Sequence, residues 1–152
     1  MRLSFIGGGT MAEAILAGIL KANIGSPKDI CVGEVVEPRR EYLSSTYGIN
    51  TTDNNIKAID SADLIVLSIK PQDISSVSEV IKNKISNDQT VVSIIAGASI
   101  KTLLGSTGHS KIIRIMPNTP AQIGSGMSVW TASDGVDAAH ICLLYTSDAA
   151  DE

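Results

Sequence analysis

Residues 3–12 read Leu-Ser-Phe-Ile-Gly-Gly-Gly-Thr-Met-Ala, and the reading of this stretch decides the fold. Residues 3–6 form a short apolar run of the buried-strand type. Residues 10–21 follow with helical spacing, in which Met11, Ile15, Leu16, Ile19 and Leu20 share one face. Between the two lies Gly7-Gly8-Gly9-Thr10-Met11-Ala12, of the form G-x-G-x-x-A. A strand, a glycine-rich turn and a helix start in this order make a βα unit suited to a dinucleotide. The first glycine permits the tight turn. The second lets the backbone approach a pyrophosphate where a side chain would collide, and Ala12 keeps helix and strand close. Backbone N–H groups at the helix start then hold the anion. The alternatives are a glycine turn with packing value alone, or another nucleotide-like ligand.

Outward from this unit the alternation continues. Strands are expected at 30–32, 49–52, 62–69, 90–95, 111–116 and 127–131, and helices at 38–47, 54–59, 71–85 and 99–104. Gly48 is a C-terminal helix stop. Pro71 suits a first helical position, where its missing N–H costs nothing. The continuous apolar run 62–69 reads as a central strand. Strands alternating with helices predict an α/β, doubly wound, mostly parallel sheet of the Rossmann type, with helices on both faces. Right-handed crossovers then open a crevice at the carboxyl ends of the strands.

The composition agrees with that class. Of the 152 residues 43% are hydrophobic and only 3% aromatic, so Val, Ile, Leu and Ala must fill the core. A sheet buried on both faces needs those residues. The net charge of -4 and the lack of a basic cluster argue against nucleic acid as a partner. Cys31 and Cys142 lie far apart and outside any CxxC pair, so neither a disulfide scaffold nor a metal site is expected. No run reaches membrane-spanning length, and the first apolar run is too short for a secretory signal. A reduced, cytoplasmic protein without a membrane partner is expected. His109 and His140 have no plausible partner nearby and read as surface residues. Residues 142–152 continue no pattern and look like foreign, adapter-derived sequence. The domain is therefore expected to span 1–141, and the natural protein to continue beyond Ile141.

Several polar groups fall where the crevice should be. Glu34, some 20 residues past the glycine motif, stands near the end of the second strand. An acid there accepts hydrogen bonds from a ribose 2′-OH and repels a 2′-phosphate. Arg39 and Arg40 follow closely and suit that phosphate. The plain alternatives are a solvated strand end and two arginines coating a helix. The choice between NAD and NADP stays open on these residues. Lys70 ends the strand that precedes Pro71, and its ammonium is expected at the carboxyl edge, on cofactor or substrate. Ala96 and Gly97 end the next strand, where small residues let a nicotinamide ring lie close. Asn118 and Thr119, in a loop fixed by Pro117 and Pro120, aim polar groups at the same crevice. No residue announces itself as a general acid, so the catalytic residue is unknown.

Taken together, Phe5–Ala14, Tyr47-Gly-Ile, Asn55, Ile69-Lys-Pro-Gln72, Ser93-Ile-Ile-Ala-Gly97 and Arg114-Ile-Met-Pro-Asn-Thr-Pro120 resemble pyrroline-5-carboxylate reductase. Order and spacing fit over 1–141. The resemblance implies reduction of the C=N bond of 1-pyrroline-5-carboxylate to L-proline with NADPH or NADH. It places Ile6, Gly7, Gly8, Gly9, Thr10 and Met11 on the pyrophosphate and Asn55 on the adenosine side. Ser68, Ile69, Lys70 and Pro71, with Ala96 and Gly97, flank the nicotinamide ribose and ring. Asn118 and Thr119 lie near the reacting end. Val36 stands where NADPH-preferring members carry a small polar residue. The family's helical C-terminal domain, which dimerises and builds most of the substrate pocket, is missing. The complete parent is thus expected to be a homo-oligomer, and this chain a monomer that is inactive alone. Rival readings are another Rossmann dehydrogenase of the prephenate or coenzyme-F420 type, a dinucleotide-sensing regulatory domain, and a methyltransferase. The Lys70-Pro71-Gln72 and Asn118-Thr119-Pro120 elements favour the reductase.

Overall fold

The structure is a computed structural model and describes residues 1–117 and 128–136. The chain opens with β1 (Leu3–Ile6) and α1 (Thr10–Lys21), followed by β2 (Ile30–Gly33), α2 (Glu37–Tyr47), β3 (Asn50–Thr52) and α3 (Asn55–Ile59). The second half runs β4 (Leu64–Leu67), α4 (Ile74–Ile81), β5 (Thr90–Ser93), α5 (Ile100–Thr107), β6 (Ile112–Pro117) and β7 (Ser128–Ala132). The strands form one sheet in the order β3-β2-β1-β4-β5-β6-β7. Pairs from β3 to β6 are parallel, and β7 runs antiparallel to β6. This is the doubly wound α/β sheet expected of the strand–helix alternation. The chain reverses direction along the sheet between β1 and β4, the switch point at which such folds bind ligands. In register, Ile6 sits between Gly33 and Leu67, and Leu67 pairs with Ser93. These residues end their strands along one edge.

Each face of the sheet carries its own core. Ile6, Ile65, Leu67, Val91, Leu103 and Ile112 pack with α3, α4 and α5, whereas Phe5, Leu16, Val32, Leu43, Val66 and Ile113 pack with α1 and α2. Side chains alternate along β1, β4 and β6, so each strand feeds both layers. At about 25 cal/mol per Å² of apolar area removed from water, such burial is the dominant stabilising term.

Several boundaries move for local reasons. The 62–69 run is a strand only over Leu64–Leu67. The expected 71–85 helix becomes a 3-10 turn at Pro71–Asp73 followed by α4, which stops at Ile81. Lys82 turns extended (ψ 130) and Asn83 is left-handed (φ 59), which breaks the ladder. The helix expected at 99–104 runs on to Thr107, past Gly105, because Ser99 caps its start and Gly108 ends it at φ 68. His109 corrects the surface expectation. It is 5% exposed, and its Nε2–H donates to the Gln89 carbonyl at 2.8 Å. The Gln89 side chain in turn donates to the carbonyls of Ile59 and Ala62. The histidine closes a buried polar joint whose other members lie too far along the chain to be read locally. His140 and residues 142–152 lie outside the described residues. Among those described, no helix is long and apolar enough to cross a membrane.

Candidate functional site

The turn after β1 is held on every side. Gly7 adopts φ +97, which favours glycine, and its N–H donates to the Gly33 carbonyl at 2.8 Å. A Cβ there would stand 2.8 Å from the Ser68 carbonyl oxygen. Ser68 Oγ donates to the carbonyls of Ile6 (3.1 Å) and Gly7 (2.7 Å) and so ties the turn to the end of β4. Gly8 is buried. Its N–H donates to Glu34 Oε2 at 2.9 Å, its carbonyl accepts from Arg39 Nε at 2.6 Å, and a Cβ would meet Leu43 Cδ1 at 2.8 Å. Gly9 differs from both. Its φ of -69 suits any residue, and no atom lies within 4 Å of an added Cβ. Neither backbone nor packing demands glycine at this position.

Gly9 is also the N-cap of α1, and no side chain caps the helix. The first amides of a helix lack intrahelical acceptors, and its N-terminus carries partial positive charge. The empty space over Gly9 therefore fits an anionic group that a side chain would displace.

In front of the turn lies a cleft of about 480 Å³ at the switch point. Ile6, Gly7 and Gly9 line it from the end of β1 and the turn after it. Gly33, Glu34, Val35 and Val36, at the end of β2 and after it, Asn55 at the start of α3, and Ser68, Ile69, Lys70, Asp73, Ser76 and Val77, after β4, also line it. Gly33 is needed for Asn55 to approach, since a Cβ there would fall 2.7 Å from its Oδ1. Glu34 is no solvated strand end: Oε2 takes Gly8 N–H and Oε1 takes Val36 N–H. Both arginines make bonds to the protein. Arg40 Nη1 donates to the carbonyls of Glu34 (2.8 Å) and Val35 (2.9 Å), and Arg39 pairs with Glu13. Val35 (76% exposed) and Val36 (52%) present an apolar surface at the rim. Lys70 is exposed at the cleft and forms no ion pair among the described residues.

Behind the turn, Glu13 gathers Tyr42 OH, Tyr47 OH and the Arg39 guanidinium. Burial opposes its charged form, yet hydrogen bonds from Tyr47, Arg39 and Tyr42 outweigh it and hold the carboxyl below its ordinary value. The bond to Glu13, with burial, pushes the Tyr47 hydroxyl up to about 12. Cys31 is a free thiol whose pKa is raised by burial.

Of the expected site residues, the cleft brings together Ile6, Gly7, Gly9, Glu34, Val36, Asn55, Ser68, Ile69 and Lys70. Gly8 and Arg39 stand behind the turn. Thr10 and Met11 occupy the first turn of α1, and Pro71 opens the 3-10 turn beyond Lys70. Ala96 and Gly97 are exposed after β5 and do not line the cleft. Asn118 and Thr119 lie outside the described residues. Sequence reasoning missed Gly33, whose place in a strand ahead of an acid signals close backbone approach. It also missed Glu13, whose partners come from another helix.

A family described as "NADP oxidoreductase coenzyme F420-dependent" matches residues 2–97. A pyrroline-5-carboxylate reductase of Synechocystis sp. is 37% identical over 137 residues, covering 90% of this chain and 51% of that protein. A pyrroline-5-carboxylate reductase structure from Coxiella burnetii superposes with TM-score 0.90 at 31% identity, covering 96% of this chain and 54% of that one. A Plasmodium falciparum pyrroline carboxylate reductase with NADP bound gives 0.83 at 26% identity, covering 97% and 53%. The chain spans about half the length of the curated relatives it matches.

Proposed function

The chain belongs to the family described as NADP oxidoreductase coenzyme F420-dependent, and from that premise we propose that it is the dinucleotide-binding half of a pyrroline-5-carboxylate reductase. The whole protein reduces 1-pyrroline-5-carboxylate to L-proline with NADPH or NADH. The observation that carries the cofactor reading is Gly9, a glycine with open space above it at an uncapped helix start. The substrate reading is supported by relatives of that name across 90% of the chain. Prephenate dehydrogenases share the fold at 15% identity, a likeness that speaks to fold alone.

Bound at the turn, the dinucleotide supplies the hydride. Gly9 and the first amides of α1 take the pyrophosphate, and Thr10 and Met11 belong to that turn. Glu34, Val36 and Asn55 receive the adenosine end. Ser68, Ile69, Lys70 and Pro71 flank the nicotinamide ribose, with Ala96 and Gly97 beyond. By the resemblance, Asn118 and Thr119, outside the described residues, would serve the reacting end. The protein's contribution is alignment: residues that would hold the cofactor in place would make encounter with the imine a near-unimolecular step. The complete protein works in the cytoplasm as a homo-oligomer, and residues 1–141 form its cofactor domain.

The test follows absorbance at 340 nm while the full-length protein meets 1-pyrroline-5-carboxylate with NADPH or NADH, beside calorimetric titration of each dinucleotide. Imine-dependent oxidation of either cofactor is the expected result. Tight dinucleotide binding without turnover by the full-length protein would favour a sensing domain, and absence of binding would overturn the reading.

A further inference from the structure

Glu13 and Arg39 stand behind the glycine turn, outside the cleft. Glu13 Oε1 accepts from Tyr42 OH at 3.0 Å and Tyr47 OH at 2.7 Å, and Oε2 pairs with Arg39 Nη2 at 2.5 Å. The Arg39 guanidinium also lies over the Tyr42 ring, 5.1 Å from its centroid. The guanidinium is thereby fixed from two sides. Its Nε donates to the Gly8 carbonyl at 2.6 Å.

That contact acts on the next amide. No peptide of the described residues is cis, and in a trans peptide the C=O of one residue and the N–H of the next point to opposite sides. A cation holding the Gly8 carbonyl from the α2 side thus turns the Gly9 N–H away from α2. It also polarises the peptide and strengthens that N–H as a donor. Gly9 lines the cleft and Arg39 does not. Glu34 meanwhile holds the Gly8 N–H, so both ends of the Gly8 residue are restrained.

We propose that Glu13 and Arg39 are positioning residues: Glu13 fixes Arg39, and Arg39, through the Gly8 carbonyl, presents the Gly9 amide to the pyrophosphate of a dinucleotide. This rests on the function proposed above. It also removes Arg39 from the role of ligand for the 2′-phosphate of NADPH.

Binding of NADH, NADPH and ADP-ribose to wild type, Arg39→Gln and Glu13→Gln tests the proposal. ADP-ribose keeps the pyrophosphate but lacks both the nicotinamide and the 2′-phosphate. The Gly9 amide resonance of the free proteins is recorded in parallel. Both variants should weaken all three ligands by a similar factor, about tenfold for one lost charge-assisted contact, and should shift the Gly9 resonance. Loss confined to NADPH would make Arg39 a 2′-phosphate ligand and overturn the proposal, as would unchanged affinity for all three. If Arg39→Gln fails to fold, Glu13→Gln, which keeps the side chain's shape, carries the same measurement. A wild-type protein that binds none of the three overturns the proposed function. An unmoved Gly9 amide in a folded variant overturns the positioning, whatever the ligands do.

Discussion

The turns that follow β1 and β5 end neighbouring parts of one sheet edge, yet they are held differently. After β1, Gly7 and Gly8 are stitched to β2, α2 and the end of β4 by contacts of 2.6–2.9 Å. After β5, Ile94 N–H reaches the Leu67 carbonyl at 3.1 Å, Ile95 N–H reaches Ser93 Oγ at 3.3 Å, and Ala98 N–H reaches the Ile95 carbonyl at 3.4 Å. Ala96 and Gly97 at its tip are exposed. The first turn is preorganised, so little ordering remains when a ligand arrives. The second spends few bonds on its own shape. In the proposed function this contrast separates the end that grips the pyrophosphate from the end beside the nicotinamide.

The sharpest break in the comparison comes from Gly9. Replacement by valine should abolish dinucleotide binding, with a fall of about 100-fold or more in affinity as the side chain fills the pyrophosphate site. The stability loss should stay near about 1 kcal/mol, the cost of valine at a helix N-cap, because no atom beyond the chain neighbours lies within 4 Å of the new Cβ. Titration calorimetry and thermal melts on one sample check both halves; retained affinity would remove the pyrophosphate from this turn.

Gly7→Ala should behave in the opposite way. A Cβ at φ +97 and 2.8 Å from the Ser68 oxygen strains the backbone and pushes on β4. A loss of about 2–3 kcal/mol in urea unfolding is expected. A smaller cost than at Gly97 would mean that the first turn is the softer of the two.

At Gly97 the φ of +73 is strained for alanine, but nothing lies within 4 Å of its Cβ. Gly97→Ala should therefore cost about 1 kcal/mol, from the left-handed backbone alone. The same urea experiment measures it.

The smallest effect concerns pH. Glu13 titrates below its ordinary value of 4.5 in the folded protein. Its contribution to stability is therefore complete above that value and is lost as the pH falls through the folded pKa. Tyr47, raised from 10.0 to about 12, contributes fully below pH 10 and loses that contribution as the pH rises through about 12. Glu13→Gln should flatten both limbs of the stability–pH curve by on the order of 1 kcal/mol or less. Limbs that match those of the wild type would show that the Glu13 cluster adds nothing to the stability of the first turn.

What the sequence determined by itself was local and periodic. The run Leu3–Ile6, the glycines and the apolar stripe of α1 specify a strand, a turn and a helix over a few residues each. Repetition of that alternation makes the doubly wound sheet the economical solution. The span of Glu34 from the motif already placed an acid at the end of β2. Asn118 and Thr119 were named from sequence and lie outside the described residues. Tertiary structure alone decided where polar groups find partners within the protein. Arg39 and Arg40 look like phosphate ligands along the chain, but Glu13 arrives from α1 and the Glu34 and Val35 carbonyls turn back upon them. His109 looks solvated until Gln89, 20 residues away, closes over it. The motif assigned Gly7 to the turn and Gly9 to the pyrophosphate, whereas the packing demand at Gly8 shows only once Leu43, Glu34 and Arg39 have closed around it. The physical reason is range. Backbone preference and hydrophobic period act over a few residues, whereas the partner of a polar group and the space above a Cβ are set by segments that meet only when the chain has folded.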